Sequence, residues 1–125
     1  MERGIITISE KGVVAMPTIP VWMTQQEMAD MFMVFCFDIR KAVRAIYKNH
    51  ELLEEETKRY IRQDEGTRYE VYSLEMVMAL AFKLRSRECI AFRKFVMDRM
   101  NTIHNRKPLH LFFSLSPYNG RRADC

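Results

Sequence analysis

Apolar residues recur at helical spacing along several stretches of the chain, and two other stretches contain short β-branched runs. The runs within residues 5–16 flank Gly12, and this arrangement predicts a β-hairpin. The strand-like runs within residues 59–72 flank Gly66 and predict a second hairpin. Helices and local hairpins together predict an α+β fold whose core is mostly helical.

The first predicted helix has a well-marked start. Thr24 and Glu27 match the T-x-x-E capping box, in which each side chain accepts a hydrogen bond from a backbone N–H of the first turn. Met23 and Met28 stand at the two positions of a hydrophobic staple. These signals predict a helix that begins at Gln25 and ends near Phe32.

The second predicted helix extends from about Phe35 to Lys48. Ile39, Val43 and Ile46 follow one another at helical spacing and form its expected buried stripe. Asn49 is expected to end the helix in a left-handed conformation. The opposite face carries four cations: Arg40, Lys41, Arg44 and Lys48.

The C-terminal half begins with an acidic stretch, residues 50–56, which is interpreted as a connector. Two helices should follow, the first capped by Ser73 and the second by Ser86. The apolar stripe of the last helix is expected to comprise Phe92, Phe95 or Val96, Met100 and Ile103. Residues 108–125 have no helical period, so they are interpreted as an added strand or a loosely held arm.

Two helices joined by a tight turn and followed by a hairpin form the element order of a winged helix-turn-helix. Ala29 is small where the second helix would cross the first, and Val34 and Ile39 would lock the two helices together. Met33 stands where such a turn usually has glycine, and a left-handed methionine costs roughly 1 kcal/mol. The predicted fold class is therefore α+β, winged helix-turn-helix-like and mostly helical, with two small β-hairpins.

This fold divides the chain into one domain and a tail. The winged-helix-like domain would cover residues 1–107, and an irregular tail would cover residues 108–125. Within the domain, the predicted parts are a helix-turn-helix at about 24–48, a wing hairpin at 59–72 and C-terminal helices at 74–104.

Cations on the second helix and on the wing suit the phosphate groups of DNA, which position a protein without specifying sequence. Asp64 and Glu65 at the wing tip would repel the same phosphates. A charged helix face is also commonly only solvated, and this alternative stays open. The predicted DNA-binding residues are Arg40, Lys41, Arg44, Lys48, Arg62 and Arg68.

Phe35 and Phe37 depart from the polar residues that usually begin a DNA-reading helix. Their rings offer only apolar contact, for example to a thymine methyl group. Because exposed rings together form an apolar patch, at least one is expected to be covered by the N-terminal hairpin, by the tail or by a second copy of the chain. Phe35 and Phe37 are thus the predicted interface residues, and a homodimer is the favoured form of that interface.

The composition agrees with an ordinary globular domain of 125 residues and net charge +4, which permits a polyanionic partner without requiring one. Cys36, Cys89 and Cys125 have no metal-ligand spacing, so reduced thiols are expected and a zinc site is not. The adjacent carboxylates of residues 54–56 are interpreted as a solvated linker rather than a metal site. No cofactor, catalytic motif, small-molecule substrate, signal peptide or membrane span is recognised, and a soluble, cytoplasmic protein that is not an enzyme is expected.

The sequence resembles the RhuM-type virulence-protein family of bacteria and, more distantly, the N-terminal domains of phage antirepressor proteins. The segments that carry the resemblance lie within residues 21–100: "VWMTQQEMADMFMV", "DIRKAVRAIYKNHELLEEET" and "RYEVYSLEMVMALAFKLRSRECIAFRKFVMDRM". The resemblance implies a DNA-binding, transcription-regulator-like protein of a bacterial mobile element or virulence-associated locus. It implies no catalytic residues. A protein–protein interaction module that keeps the fold without binding DNA is the alternative.

Overall fold

The computed structural model describes residues 2–106, which adopt an α+β fold with five helices and two small antiparallel sheets. The chain groups into two compact units, Met1–Arg93 and Lys94–Cys125, and the boundary falls inside the last helix. The elements in chain order are β1 (Thr7–Ile8), β2 (Val14–Ala15), β3 (Trp22–Met23), α1 (Gln25–Phe32), α2 (Cys36–Lys48), α3 (Glu54–Thr57), β4 (Lys58–Arg62), β5 (Arg68–Ser73), α4 (Leu74–Lys83) and α5 (Arg87–Arg106). The predicted tail lies outside the described residues.

Both predicted hairpins are confirmed. Strands β1 and β2 pair antiparallel around a turn in which Gly12 has a φ of 82°. Strands β4 and β5 pair antiparallel around a turn in which Gly66 has a φ of 89°. Both glycines therefore occupy the left-handed region that other residues rarely adopt.

A third strand, which the sequence pattern did not predict, completes the second sheet. Strand β3 pairs with β5, so that the sheet order is β3–β5–β4 and β5 is the central strand. Trp22 lies opposite Ser73, and Met23 lies opposite Tyr72. This pairing holds the start of α1 against the β4–β5 hairpin.

Helix α1 begins at the predicted capping box. The Thr24 hydroxyl accepts a hydrogen bond from the Glu27 N–H at 3.1 Å, and the Glu27 carboxylate accepts one from the Thr24 N–H at 2.8 Å. Met23 and Met28, at the staple positions, are both fully buried. The predicted bounds of this helix are confirmed.

The turn between α1 and α2 has the geometry that the sequence predicted. Met33 lies in the left-handed region, with φ 55° and ψ 47°. The Met33 N–H donates to the carbonyl of Asp30 at 3.4 Å, and the Val34 N–H donates to that of Ala29 at 3.1 Å, the pattern of a Schellman motif. Ala29 is buried where the two helices pack together.

Helix α2 follows after an N-cap at Phe35, one residue later than the predicted start. Its predicted stripe of Ile39, Val43 and Ile46 is buried, which confirms that prediction. Asn49 was wrongly predicted to be the left-handed residue: its φ is −86°, whereas that of His50 is 60°. The left-handed residue thus lies one position later than predicted, and the Glu51 N–H closes the terminal motif on the carbonyl of Ile46 at 2.9 Å.

Two further predictions need correction. The acidic connector contains a one-turn helix, α3, because the Thr57 N–H and hydroxyl both donate to the carbonyl of Leu53. Ser73 stands at the N-cap of α4, but its side chain makes no capping bond. Its hydroxyl oxygen is buried without a hydrogen-bond partner, because Ser73 also ends β5 and pairs with Trp22 there.

Helix α5 starts where predicted, since the Ser86 hydroxyl accepts a hydrogen bond from the Cys89 N–H at 3.0 Å. Phe92 is buried, and its ring meets that of Phe32 edge to face at 5.9 Å. Met100 and Ile103, the later members of the predicted stripe, are both more than half exposed. Helical spacing identifies a face that favours burial, but it does not supply a surface to cover that face.

Candidate nucleic-acid interface

The outward face of α2 is set by the burial of its opposite face. Ile39, Val43 and Ile46 are turned into the core, so the side of the helix away from them is directed to solvent. Arg40, Lys41, Arg44 and Lys48 are all exposed. Among the described residues, none of these four cations forms an ion pair. The face is therefore positively charged and open to an anionic partner.

An open cleft of about 780 Å³ lies between the start of α1, helix α2 and the β4–β5 hairpin. Arg40 and Arg44 reach it from α2, and Arg68 reaches it from β5. Four basic and two acidic side chains line the cleft, so the net charge of its lining is positive. The lining residues from the start of α1 are Thr24, Gln25 and Gln26.

A chain of hydrogen bonds crosses one side of the cleft. The Gln25 side-chain amide donates to the Tyr72 hydroxyl at 3.0 Å, and that hydroxyl donates to the Glu70 carboxylate at 2.5 Å. Burial raises the pKa of the Tyr72 phenol, and the hydrogen bond to Glu70 raises it further. Tyr72 consequently stays protonated and holds Glu70 in place.

Lys58 is the cation whose charge is already matched within the cleft. Its ammonium group lies 3.0 Å from the Glu54 carboxylate and 5.3 Å from the centre of the Tyr47 ring. Burial lowers the pKa of Lys58, but the hydrogen bond to Glu54 and the field of Glu70 outweigh it, so the net shift is upward. The charges left to bind an external anion are therefore those of the three arginines.

Two arginines of the β4–β5 hairpin stack on aromatic rings. The Arg68 guanidinium lies 4.6 Å from the centre of the Tyr60 ring, and that of Arg59 lies 4.3 Å from the centre of the Trp22 ring. Arg62 stands directly opposite Arg68 in the hairpin register. Like charges in that position repel each other, and a bound anion would relieve the repulsion.

The predicted site residues thus separate into two groups. Arg40, Arg44 and Arg68 share the cleft, and Lys41 shares a smaller hollow with Arg40 and Arg44. Lys48 and Arg62 are exposed but do not line either space. Ten residues that line the cleft were not among the predicted site residues: Thr24, Gln25, Gln26, Val43, Tyr47, Glu54, Lys58, Tyr69, Glu70 and Tyr72. Polar residues directly after the Thr24 cap were the available signal for the two glutamines.

The predicted interface residues, Phe35 and Phe37, are 80% and 62% exposed. Of the three covers that the sequence left open, the N-terminal hairpin is not the one observed, because it leaves both rings exposed. Its two strands pair with each other at Thr7 and Ile8 and do not extend over α2. The other proposed covers, the tail and a second copy of the chain, concern groups outside the described residues.

Residues 2–106 contain no cluster of three or more side chains suited to hold a metal ion. Cys36 is half-buried and Cys89 is buried, and both are free thiols. Burial raises the pKa of the Cys89 thiol, which disfavours the reactive thiolate. The carboxylates of Glu54, Glu55 and Glu56 are exposed on α3.

Comparison of the chain with protein-family models, with curated proteins and with solved structures gave no match. In the described part of the chain, every helix is too short or too polar to cross a lipid bilayer. The features that bear on function are therefore the geometry and charge of α2, the cleft and the β4–β5 hairpin.

Proposed function

We propose that this protein binds double-stranded DNA through α2 and the β4–β5 hairpin, as a regulator of the winged helix-turn-helix type. The observation that carries the proposal is the meeting of Arg40 and Arg44 from the helix with Arg68 from the hairpin along one open cleft. Cations from two separate elements facing one space suit a rigid row of phosphates better than they suit bulk solvent.

In this arrangement α2 enters the major groove and the cleft receives the adjoining phosphate backbone. Arg40 and Arg44 then contact phosphates on one side of the groove, while Arg68 contacts the backbone nearer the wing. Gln25 and Gln26, at the first turn of α1, offer amide donors at the same edge of the cleft. Asp64 and Glu65 lie in the turn beyond Arg62, so the wing tip itself stays away from the DNA.

The resemblance to RhuM-type and antirepressor proteins adds a biological setting to this proposal. Those segments include all of α1, α2 from Asp38 onward and the β5 strand that supplies Arg68. We accordingly propose that the protein comes from a bacterial mobile element or a virulence-associated locus and acts on transcription in the cytoplasm.

The test is a salt series of fluorescence anisotropy on a labelled random duplex. Each phosphate neutralised contributes roughly 0.9 to the slope of log affinity against log salt concentration. Replacing Arg40, Lys41 and Arg44 together by Ala should lower that slope by up to about 3 and abolish binding at moderate salt. The three side chains are exposed, so the melting temperature of the variant should stay close to that of the parent.

A matched control removes the same charge elsewhere. Lys11, Arg85 and Arg87 are also exposed, and none of them lines the cleft or the smaller hollow on α2. Their triple replacement by Ala should weaken binding only slightly. Equal losses in the two triple variants, or no binding by the parent at low salt, would refute the proposal.

The exposed rings of Phe35 and Phe37 favour a second candidate, a protein–protein interaction module without DNA binding. Contiguous exposed apolar surface commonly marks an interface. The same protein samples distinguish the two candidate functions. The protein is an interaction module if the parent chain fails to bind duplex DNA but self-associates. Replacing Phe35 and Phe37 by Ser should then abolish that self-association.

A further inference from the structure

Phe35 and Phe37 occupy the beginning of α2, the end of the helix that would enter the major groove first. Phe35 is the N-cap residue and Phe37 lies in the first turn, and both rings are mostly exposed. Neither position is required by the core, whose α2 residues begin at Ile39. The packing of residues 2–106 therefore does not account for the two exposed rings.

The immediate surroundings of Phe37 specify the chemistry of a partner. Its ring forms one wall of a shallow hollow of about 190 Å³, and the other walls are Arg40, Lys41 and Arg44. A ligand that fits this hollow brings an apolar group and negative charge side by side. Asp38, the acidic residue of the same helical turn, instead faces a different hollow, which it shares with Lys41 and Lys83.

A second copy of the chain matches this surface poorly. In a two-fold contact each surface meets an identical one, so the cations around Phe37 would approach the same cations of the other copy. DNA supplies the complementary pattern, because phosphates border a major groove in which thymine presents an apolar C5-methyl group.

We infer that Phe35 and Phe37 contact the C5-methyl groups of thymines in the major groove, and so give this protein a preference for thymine-containing sites. The inference rests on the proposed DNA binding and deepens it by naming the base feature that is recognised. The cations around the rings hold the phosphates and are indifferent to sequence, whereas the rings discriminate between bases.

The decisive experiment compares two duplexes that differ only in that methyl group. One is an alternating A·T duplex, and the other has deoxyuridine in place of every thymidine. Both have the same phosphates and the same hydrogen-bonding groups. Burial of one methyl group corresponds to about a fourfold gain in affinity, so the parent should bind the thymine duplex about fourfold to sixteenfold more tightly.

The double variant Phe35→Ser, Phe37→Ser should bind the two duplexes equally, with the salt dependence of the parent. Phe82 is another exposed aromatic residue, on α4, and Phe82→Ser should keep the thymine preference. The comparison is repeated with an alternating G·C duplex that contains cytosine or 5-methylcytosine. A larger gain from methylated cytosine than from thymine would overturn the assignment to thymine.

The remaining outcomes distinguish a failure of the thymine inference from a failure of the proposed DNA binding. Equal binding of the parent to the thymine and uracil duplexes overturns the inference but leaves the proposed DNA binding standing. Binding to neither duplex at low salt overturns both. Sedimentation of the parent as a dimer that the double Ser variant converts to a monomer would assign the rings to self-association instead.

Discussion

Arg3 and Glu27 form a bidentate ion pair that ties the beginning of the chain to the first turn of α1. The two guanidinium nitrogens lie 2.7 Å and 3.0 Å from the two carboxylate oxygens. Arg3 also donates to the backbone carbonyl of Trp22 at 2.9 Å. Glu27 therefore serves both as the acidic member of the capping box, through the Thr24 N–H, and as the anchor of Arg3.

This double role predicts a pH dependence of stability. Burial raises the pKa of Glu27, but the hydrogen bonds from Arg3 and Thr24 outweigh it, and the net shift is below the ordinary value of 4.5. A lowered pKa in the folded state means that the stabilisation is present above the ordinary pKa and is lost as the pH falls through the lower one. Replacing Glu27 by Gln should remove this acid-dependent part.

The measurement is the free energy of unfolding in urea at several pH values between about 6 and 3, the region in which a carboxylate with a lowered pKa becomes protonated. The curve for Glu27→Gln should lie below that of the parent at pH 6 and converge toward it in acid. Glu55→Gln, at an exposed carboxylate, serves as the control and should leave the curve unchanged. Parallel curves for the parent and Glu27→Gln would contradict the prediction.

The Thr24 hydroxyl supplies the other half of the capping box. Thr24→Ala should lower the free energy of unfolding by about 1 kcal/mol, because the Glu27 N–H would lose its acceptor. Thr24→Ser keeps the acceptor and should retain most of the stability. Thermal or chemical unfolding of the three proteins provides the comparison, and a melt unchanged in Thr24→Ala would show that the hydroxyl does not contribute.

Met33 should be replaceable by glycine with a gain in stability. Its left-handed conformation costs roughly 1–2 kcal/mol in a non-glycine residue, and its side chain is 71% exposed, so little packing would be lost. Glycine adds conformational entropy to the unfolded chain, which reduces the net gain to at most about 1 kcal/mol. Met33→Ala keeps the strain and is the control. An unfolding midpoint for Met33→Gly that is no higher than for Met33→Ala would contradict the argument.

Gly4 is required by close approach rather than by its backbone angles. A Cβ atom at this position would lie 2.5 Å from the carbonyl oxygen of Ile19 and 2.8 Å from that of Pro20, and backbone atoms cannot easily move aside. Gly4→Ala should therefore destabilise the fold by about 1–3 kcal/mol. Gly66→Ala is the comparison, since its Cβ would meet open space and only its positive φ would be strained. Gly4→Ala with parental stability would show that the segment can shift at no cost.

The features predicted correctly from the sequence are those decided by neighbouring residues. The Thr24–Glu27 box, the turn at Met33 and the hairpin around Gly66 each depend on a few consecutive positions. Strand β3 was missed because its two residues acquire strand geometry only by pairing with β5, about fifty positions later. Such a pairing leaves no periodic signal in so short a segment.

The candidate site likewise combines features that neighbouring residues decide with features that depend on packing. The exposed cations of α2 could be predicted from the spacing of its buried stripe, since Arg40 and Arg44 fall outside the stripe to which Ile39 and Val43 belong. Their meeting with Arg68 could not be predicted in detail, because the cleft is made by the packing of the hairpin beside the helix. The internal pairing of Lys58 with Glu54, which removes one cation from the site, is a local contact four residues apart, and it was missed because residues 50–56 were interpreted as a connector rather than a helical turn.

The order of the three-stranded sheet leaves β4 at an edge, and an edge strand can recruit further strands from other molecules and start aggregation. The sequence of β4 is Lys-Arg-Tyr-Ile-Arg, so three of its five residues carry positive charge. A second molecule that added its own β4 there would meet the same charges at close range. The cations of this hairpin therefore discourage strand addition, and the chain should remain dispersed at concentrations at which an uncharged edge would assemble.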